Sequence, residues 1–242
     1  MRDALEVGYR SIDTAQSYFN EEEVGKAIEK SGIDRKEIFL TSKVWIEHFR
    51  YEECKKSVLE SVEKLRTDYL DLMLLHQPFG DTYGAWRALE ELYKEGKLHA
   101  IGISNHYTDR MVEFANFTNI KPMVNQILLH ISNTPMELVE YCQKNSIVVE
   151  AYSPIAHGEI LNQPEITTIA KKYGVTVPQL CIRYTLQLGA ISLPKTGNPE
   201  HMKSNAQLDF QISAEDMELL KNFKKIKSYG DSGNFPVYGG KM

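Results

Sequence analysis

The sequence predicts a barrel of parallel β-strands wrapped in α-helices, and three observations carry that expectation. Short apolar runs alternate with amphipathic helical patterns along almost the whole chain, which means a parallel sheet covered by helices. No Gly-x-Gly-x-x-Gly follows any of those runs, which argues against an open dinucleotide-binding sheet. The C-terminal ends of successive runs carry polar or titratable residues, where a closed α/β barrel places its chemistry. At 242 residues the chain is long enough to form one large domain, 1–242, around a substantial core.

Each element has its own local reason. Residues 1–7 read as the end of a helix stopped by Gly8. Residues 9–13 form a short strand that opens into a polar loop bearing Tyr18. Asn20 is placed to cap the next helix, with Glu21, Glu22 and Glu23 complementing its positive end. After a turn at Ser31-Gly32, the apolar Ile38, Phe39 and Leu40 mark a buried strand that runs to Lys43. Residues 51–66 are an amphipathic helix with Val58, Val62 and Leu65 on one face. A strand over 69–76 is closed by Pro78, and a helix over 83–93 carries Trp86, Leu89 and Leu92 and ends at Gly96.

The cycle then repeats. Residues 98–104 are a strand, Thr108 caps a helix to Phe117, and 123–126 form a short strand. Pro135 starts a helix to Lys144. A strand over 147–152 precedes helices at 165–173 and 178–188, and 190–194 is the seventh strand. Helices at 199–205 and 214–224 lead to a Gly-rich tail from Ser228.

Composition narrows the function classes. Lys plus Arg number 28 against 33 Asp plus Glu, a formal net charge of -5. That mild acidity argues against a general affinity for nucleic acid or anionic membrane, so any anion site is local. Cys54, Cys142 and Cys181 stand far apart with no Cys-x-x-Cys spacing, which favours buried thiols in a reducing compartment over a disulfide or metal site. No apolar run has the length of a membrane span and no signal-peptide core is present, so a cytoplasmic location is expected.

The strand ends deliver Asp13, Lys43, His76, Ser104 with Asn105, Gln126, Tyr152 with Ser153, and Lys195 with Thr196. Taken singly, Asp13 reads as a loop cap, His76 as a bonded core histidine and Tyr18 as a packing aromatic. Lys43 on a buried strand is harder to dismiss, because lysine is rarely buried without a partner, and Asp13 is the nearest strand-end carboxylate. Together they make an acid catalyst. A tyrosine has an ordinary pKa of about 10, too high for efficient proton donation near neutrality. A neighbouring ammonium favours the phenolate, an aspartate holds that ammonium charged, and a histidine orients a carbonyl oxygen. Such a group suits protonation of an oxygen on which negative charge develops.

Asp13, Tyr18, Lys43 and His76, in the contexts Ile-Asp-Thr-Ala-Gln-Ser-Tyr, Thr-Ser-Lys-Val-Trp and Leu-Leu-His-Gln-Pro, resemble the tetrad of the aldo-keto reductase superfamily. Gly8-Tyr-Arg-Ser-Ile-Asp-Thr-Ala15, Gly102-Ile-Ser-Asn105, Val124-Asn-Gln126, Ala151-Tyr-Ser-Pro154 and Leu193-Pro-Lys195 also resemble its signatures, in order from Met1 to Asn205. The resemblance is strongest to bacterial members acting on small aldehydes and ketones. It implies a (β/α)8 TIM barrel, a small carbonyl substrate, NADP(H) as cofactor with NAD(H) as a second one, and a monomer for the full-length protein.

By the same resemblance, Ser104, Asn105 and Gln126 hold the nicotinamide carboxamide and Tyr152 stacks on its ring. Ser153 and Ile155 line the pyrophosphate path, Lys195 and Thr196 meet the adenosine 2′-phosphate, and Asn205 meets the adenine. Trp45, His48 and Phe79, on rim loops, are candidates for the substrate pocket, where packing is as ready an explanation.

Two departures from the family pattern matter. Where an arginine usually grips the 2′-phosphate stands His201, and the usual acidic residue near the adenine is replaced by Ser204. A histidine of ordinary pKa is mostly neutral at pH 7 and offers no bidentate fork, so weaker discrimination between NADPH and NADH is expected. The chain also begins inside the family's first helix, so the N-terminal hairpin and the first strand are missing; a fragment of a longer protein is expected, with replacement of that strand by a neighbour as the other reading. Two alternatives to a reductase stand beside it: an NADP(H)-binding regulatory module, as in relatives that regulate a membrane channel, and an inactive truncated reductase.

Overall fold

A computed structural model describes residues 1–226, and the Gly-rich tail from Ser228 lies outside the described residues. The chain divides into two compact units, with the division between Asn125 and Gln126.

In the first unit a short helix α1 (Arg2–Val7) ends at Gly8, whose φ of 112° is the left-handed cap conformation. Then follow β1 (Ser11–Asp13), α2 (Glu21–Ser31), β2 (Phe39–Val44), α3 (Tyr51–Lys64), β3 (Leu72–Leu75), α4 (Thr82–Lys94), β4 (Ile101–Ser104) and α5 (Thr108–Phe117). The four strands pair in parallel and in chain order, with Asp13 beside Thr41, Lys43 beside Leu74, and Leu75 beside Ile103. All four side chains of β3, Leu72, Met73, Leu74 and Leu75, are fully buried. That is why this strand reads as an unbroken apolar run rather than an alternation: both faces are covered. Each such side chain contributes about 1.5–3 kcal/mol by leaving water. Val58, Val62 and Leu65 on one helix face and Trp86, Leu89 and Leu92 on another are buried as their spacing predicts.

Gly102 explains itself by contact. A Cβ there would lie 2.6 Å from Leu74 Cδ2 and 2.7 Å from the Val124 carbonyl oxygen, closer than real contacts allow. The close approach lets Leu72, Leu74 and Val124 form one apolar cluster.

The N-terminal end of β2 is fastened by Arg35. Its guanidinium donates to Thr67 Oγ1 at 2.9 Å, to Ile38 O at 2.7 Å and to Tyr69 O at 3.1 Å, and pairs with Asp71 Oδ2 at 2.8 Å. It also lies 4.3 Å from the Tyr69 ring centroid, and the Asp71 carboxylate accepts from Leu40 N. A planar fork with a partner at each of its nitrogens ties two strands together.

The second unit holds the greater part of β5 (Val124–Leu128), then α6 (Met136–Lys144), β6 (Val148–Tyr152), α7 (Pro164–Lys172), α8 (Val177–Gln187), β7 (Ile191–Leu193), α9 (Pro199–Ala206) and α10 (Ala214–Lys221). β6 and β7 pair in parallel, Glu150 beside Ile191 and Tyr152 beside Leu193. Helix α8 opens with a capping box in which Thr176 and Gln179 satisfy each other's backbone. Cys54, Cys142 and Cys181 are buried free thiols. Among the described residues no helix is long and apolar enough to cross a membrane.

All seven expected strands are present, their ends shifted by a few residues, as hydrogen-bond criteria trim the ends of elements. Two helix caps differ from expectation. Asn20 occupies the cap position of α2 but makes no capping bond, because its Oδ1 accepts from the Thr14 hydroxyl at 2.7 Å. Thr108 is the first helical residue of α5 rather than its cap; Tyr107 stands before it, without a side-chain bond. Glu21, in the first turn of α2, is buried and accepts from Ser42 Oγ at 2.6 Å and Ser61 Oγ at 3.3 Å.

Candidate active site

The C-terminal ends of β1, β2 and β3 bring four predicted residues together in the first unit. Lys43, on β2, is fully buried. Its ammonium donates to Asp13 Oδ1 at 2.5 Å, across the β1–β2 pair, and to the Thr14 carbonyl at 2.9 Å. Parallel register makes that ion pair: Asp13 ends β1 opposite Thr41, two residues before Lys43 on the same face of β2. A buried ammonium is tolerable only because the carboxylate and a carbonyl replace water around it.

Tyr18 sits on a 3-10 turn, Gln16–Tyr18, between β1 and α2, and is half exposed. Gln16 hangs this turn from two neighbours. Its Oε1 accepts from Trp45 N at 2.9 Å, while its Nε2 donates to Ser57 O and Ser61 Oγ, each at 3.1 Å. The Lys43 ammonium lies 5.0 Å from the Tyr18 ring centroid, and the His76 ring stands edge-on at 5.7 Å between centroids. These are ring contacts. No hydrogen bond joins the Tyr18 hydroxyl to Lys43 or His76, since the ammonium is drawn to Asp13 and Thr14 and His76 Nδ1 faces Ser17 Oγ at 3.3 Å.

His76, just after β3, is buried. Burial, reinforced by the nearby charge of Lys43, pushes its pKa down to about 3, so the ring is a neutral imidazole near pH 7. Trp45 stands edge-on to it at 5.2 Å, so one of the three predicted pocket residues joins the group. His48 instead lies on a 3-10 turn with Nε2 3.5 Å from Glu47, and Phe79 is exposed on the loop after β3.

Ser104 ends β4, and Asn105 follows in the left-handed region at φ 62°; both are buried. Asn105 Nδ2 donates to the His76 carbonyl at 3.2 Å and to Gln77 Oε1 at 3.4 Å. Behind them His106, fully buried, is bonded through Nδ1 to the Ser104 carbonyl at 3.0 Å. A carbonyl only accepts, so the proton is on Nδ1. Burial holds the pKa of His106 down at about 4, aided by Arg110. Asn125 Nδ2 donates to the His106 carbonyl at 2.7 Å and completes this support.

The remaining candidates are in the second unit. Gln126 is buried, and Tyr152 is partly exposed at the end of β6. Ser153 and Ile155 lie in the loop that follows, where Ser153, Ala156 and His157 have φ of 50°, 48° and 51° and Gly158 has 93°. Left-handed non-glycine residues cost about 1 kcal/mol or more each and gather at ligand sites, a signal invisible in the sequence. Ser153 Oγ is 3.1 Å from His157 Nε2. Lys195 is exposed and carries no ion pair among the described residues, Thr196 Oγ1 accepts from Asn198 N, His201 is exposed on α9, and Asn205 is buried.

Sequence reasoning missed Gln16, Ser17, His106 and Glu150. The last had a signal: an acidic residue inside the apolar run Ile147-Val-Val-Glu-Ala-Tyr152 needs a partner wherever both faces of the strand are covered.

Comparison with known proteins supplies the context for this geometry. A family model described as the Aldo/keto reductase family matches residues 1–225. A glyoxal reductase of Bacillus subtilis (strain 168) is 44% identical over 229 residues, covering 94% of this chain and 83% of the relative. Among solved structures, an aldo-keto reductase from a Medee basin deep-sea metagenome library superposes with a TM-score of 0.89 at 38% identity, covering 95% of this chain and 88% of that one. A Bombyx mori aldo-keto reductase in complex with NADP gives 0.90 at 31% identity, covering 98% and 86%. The fold they share is the (β/α)8 barrel, and seven of its strands lie among the described residues of this chain.

Proposed function

The chain belongs to the aldo/keto reductase family, and from its NADP(H)-dependent reduction of carbonyl compounds we propose the following division of labour. Tyr18 is the general acid that protonates the carbonyl oxygen. Lys43, 5.0 Å from its ring, stabilises the negative charge left on the phenol as the proton departs. Asp13 keeps Lys43 charged and aimed. His76, neutral and buried, orients the carbonyl oxygen through a ring N–H.

The residues suit the cofactor by their chemistry. Ser104, Asn105 and Gln126 offer the donors and acceptors that a carboxamide needs. Tyr152 has a partly exposed ring on which a flat heterocycle stacks. Ser153 and Ile155 stand in a strained loop fit for close backbone approach, and the exposed Lys195 with Thr196 suits a phosphate. His201 and Asn205 take the remaining adenosine contacts. The bound dinucleotide supplies the hydride; the protein supplies the proton, the orientation and the exclusion of water. Trp45, held against His76, lines the substrate pocket, with His48 and Phe79 at its mouth, and the substrates are small aldehydes and ketones. We read 1–242 as one reductase domain, monomeric, at work in the cytoplasm, where three free thiols stay reduced.

The observation that carries this reading is a buried Lys43, paired with Asp13, beside a tyrosine that stands edge-on to a neutral histidine. Tyr18→Phe tests it. Oxidation of NADPH by an aldehyde should slow by about 10²–10⁴-fold, while cofactor affinity, read by fluorescence titration, stays unchanged. Undiminished turnover in the variant would end the assignment. Cofactor binding without turnover in the unaltered chain would point to a regulatory module, and absence of binding to an incomplete site.

A further inference from the structure

Glu150 is a carboxylate buried in β6, only 3% exposed, and the reaction proposed above gives it no task. A charge away from water is strongly destabilising unless it is hydrogen-bonded, so its partner is informative. Glu150 Oε2 accepts from Gln126 Nε2 at 2.8 Å, and Gln126 is equally buried. In this bond the Glu150 oxygen accepts and the Gln126 nitrogen donates, and a primary amide has donors at one end and an acceptor at the other. The pairing therefore selects one of the two ways in which the Gln126 amide can be turned. Its nitrogen faces Glu150, and its oxygen is the end presented elsewhere. Side chains two apart on a strand share a face, so Glu150 stands one step below Tyr152, the ring assigned to the nicotinamide.

We propose that Glu150 is a positioning residue that holds the Gln126 amide oxygen toward the cofactor's carboxamide, so that the site reads the carboxamide N–H. This rests on the assignment of Gln126 to that carboxamide and adds the orientation and the group that enforces it. Without the carboxylate, Gln126 can turn and set its own NH2 against the carboxamide NH2, where two donors face each other.

The experiment compares dissociation constants, read by protein fluorescence, for NADPH and for the reduced analogue in which a methyl ketone replaces the carboxamide. The unaltered chain should hold the analogue about three- to tenfold more weakly, the worth of one hydrogen bond. Glu150→Gln keeps the shape and removes the charge, and the discrimination should shrink to within about twofold. Glu150→Asp keeps the charge but withdraws it by one methylene, and should fall between; it also serves if the first variant folds poorly by circular dichroism. Should Gln126→Ala bind both ligands with full affinity, the carboxamide assignment itself is wrong. Should Gln126→Ala abolish discrimination while both Glu150 variants retain it, the proposal alone is overturned.

Discussion

The two ends of strand β2 each carry a cation paired with an aspartate, and the two pairs are built differently. At the N-terminal end Arg35 has Asp71, Thr67, two carbonyls and the Tyr69 face around it. Each of the three guanidinium nitrogens has a partner, which is what a fastening requires. At the C-terminal end Lys43 has Asp13 and the Thr14 carbonyl, and a half-exposed phenol ring lies beside it. A rigid, permanently charged fork suits the first place, and a compact point charge that acts on a neighbour suits the second. On the proposed assignment, the same ion-pair chemistry serves stability at one end of the strand and reactivity at the other.

Paired substitutions separate the two. Lys43→Met should lower turnover by about 10²-fold or more, since it removes the charge that supports the acid. Arg35→Met should leave turnover per folded molecule unchanged and destabilise the fold by about 1–3 kcal/mol, because Asp71 loses its guanidinium partner and keeps only Leu40 N and the more distant His99. Steady-state rates and urea midpoints on both variants check this. Equal losses of activity in the two would erase the distinction.

Acid sharpens the contrast further, because the region around the site buries neutral histidines. The pKa of His76 is held down to about 3, chiefly by burial and then by Lys43, and that of His106 to about 4, again chiefly by burial. In the second unit His130 is likewise lowered to about 4 by burial, with His157 adding to it. An unfolded histidine titrates near 6.5. Below that pH the unfolded chain takes up protons that the folded one refuses, so stability falls as pH drops from about 6.5 towards 3–4. His106→Gln should flatten that fall by up to about 1.4 kcal/mol per pH unit, read from urea midpoints across pH 7 to 4. An unchanged slope would contradict the neutral, buried assignment.

The smallest effect concerns a third basic position, where the sequence departs from its family. His201 is an exposed imidazole on α9 where the family pattern has an arginine. The ratio of kcat/KM for NADPH over NADH should stay below about a hundredfold, and His201→Arg should raise it about tenfold, the worth of a charged hydrogen bond. A native preference of several hundredfold would show that the fork is not needed here.

The sequence exposed the fold, and the grouping of Asp13, Tyr18, Lys43 and His76, for a physical reason. A buried strand writes itself as a run such as Leu72–Leu75, and a residue such as Lys43 at the end of one is out of place unless it has work. Pairing of Lys43 with Asp13 was legible because both close neighbouring strands. What stayed hidden depends on partners distant along the chain. Glu21 looks like an ordinary first-turn acid, yet it is buried against Ser42 and Ser61. The Asn20 cap failed because Thr14 reached its oxygen first. Arg35 looks like a surface charge in a turn, and its role appears only when Thr67, Tyr69 and Asp71 are brought alongside. Left-handed backbone at Ser153, Ala156 and His157 leaves no mark in composition at all.

The anchoring of the Gln16–Tyr18 turn reaches beyond the chemistry. One glutamine side chain moors the phenol to the peptide of Trp45 and to helix α3, so the proposed proton donor arrives with the scaffold instead of riding on a moving flap. Redesign of the outer loops for bulkier aldehydes can therefore proceed without detuning the donor, provided Gln16 is left alone.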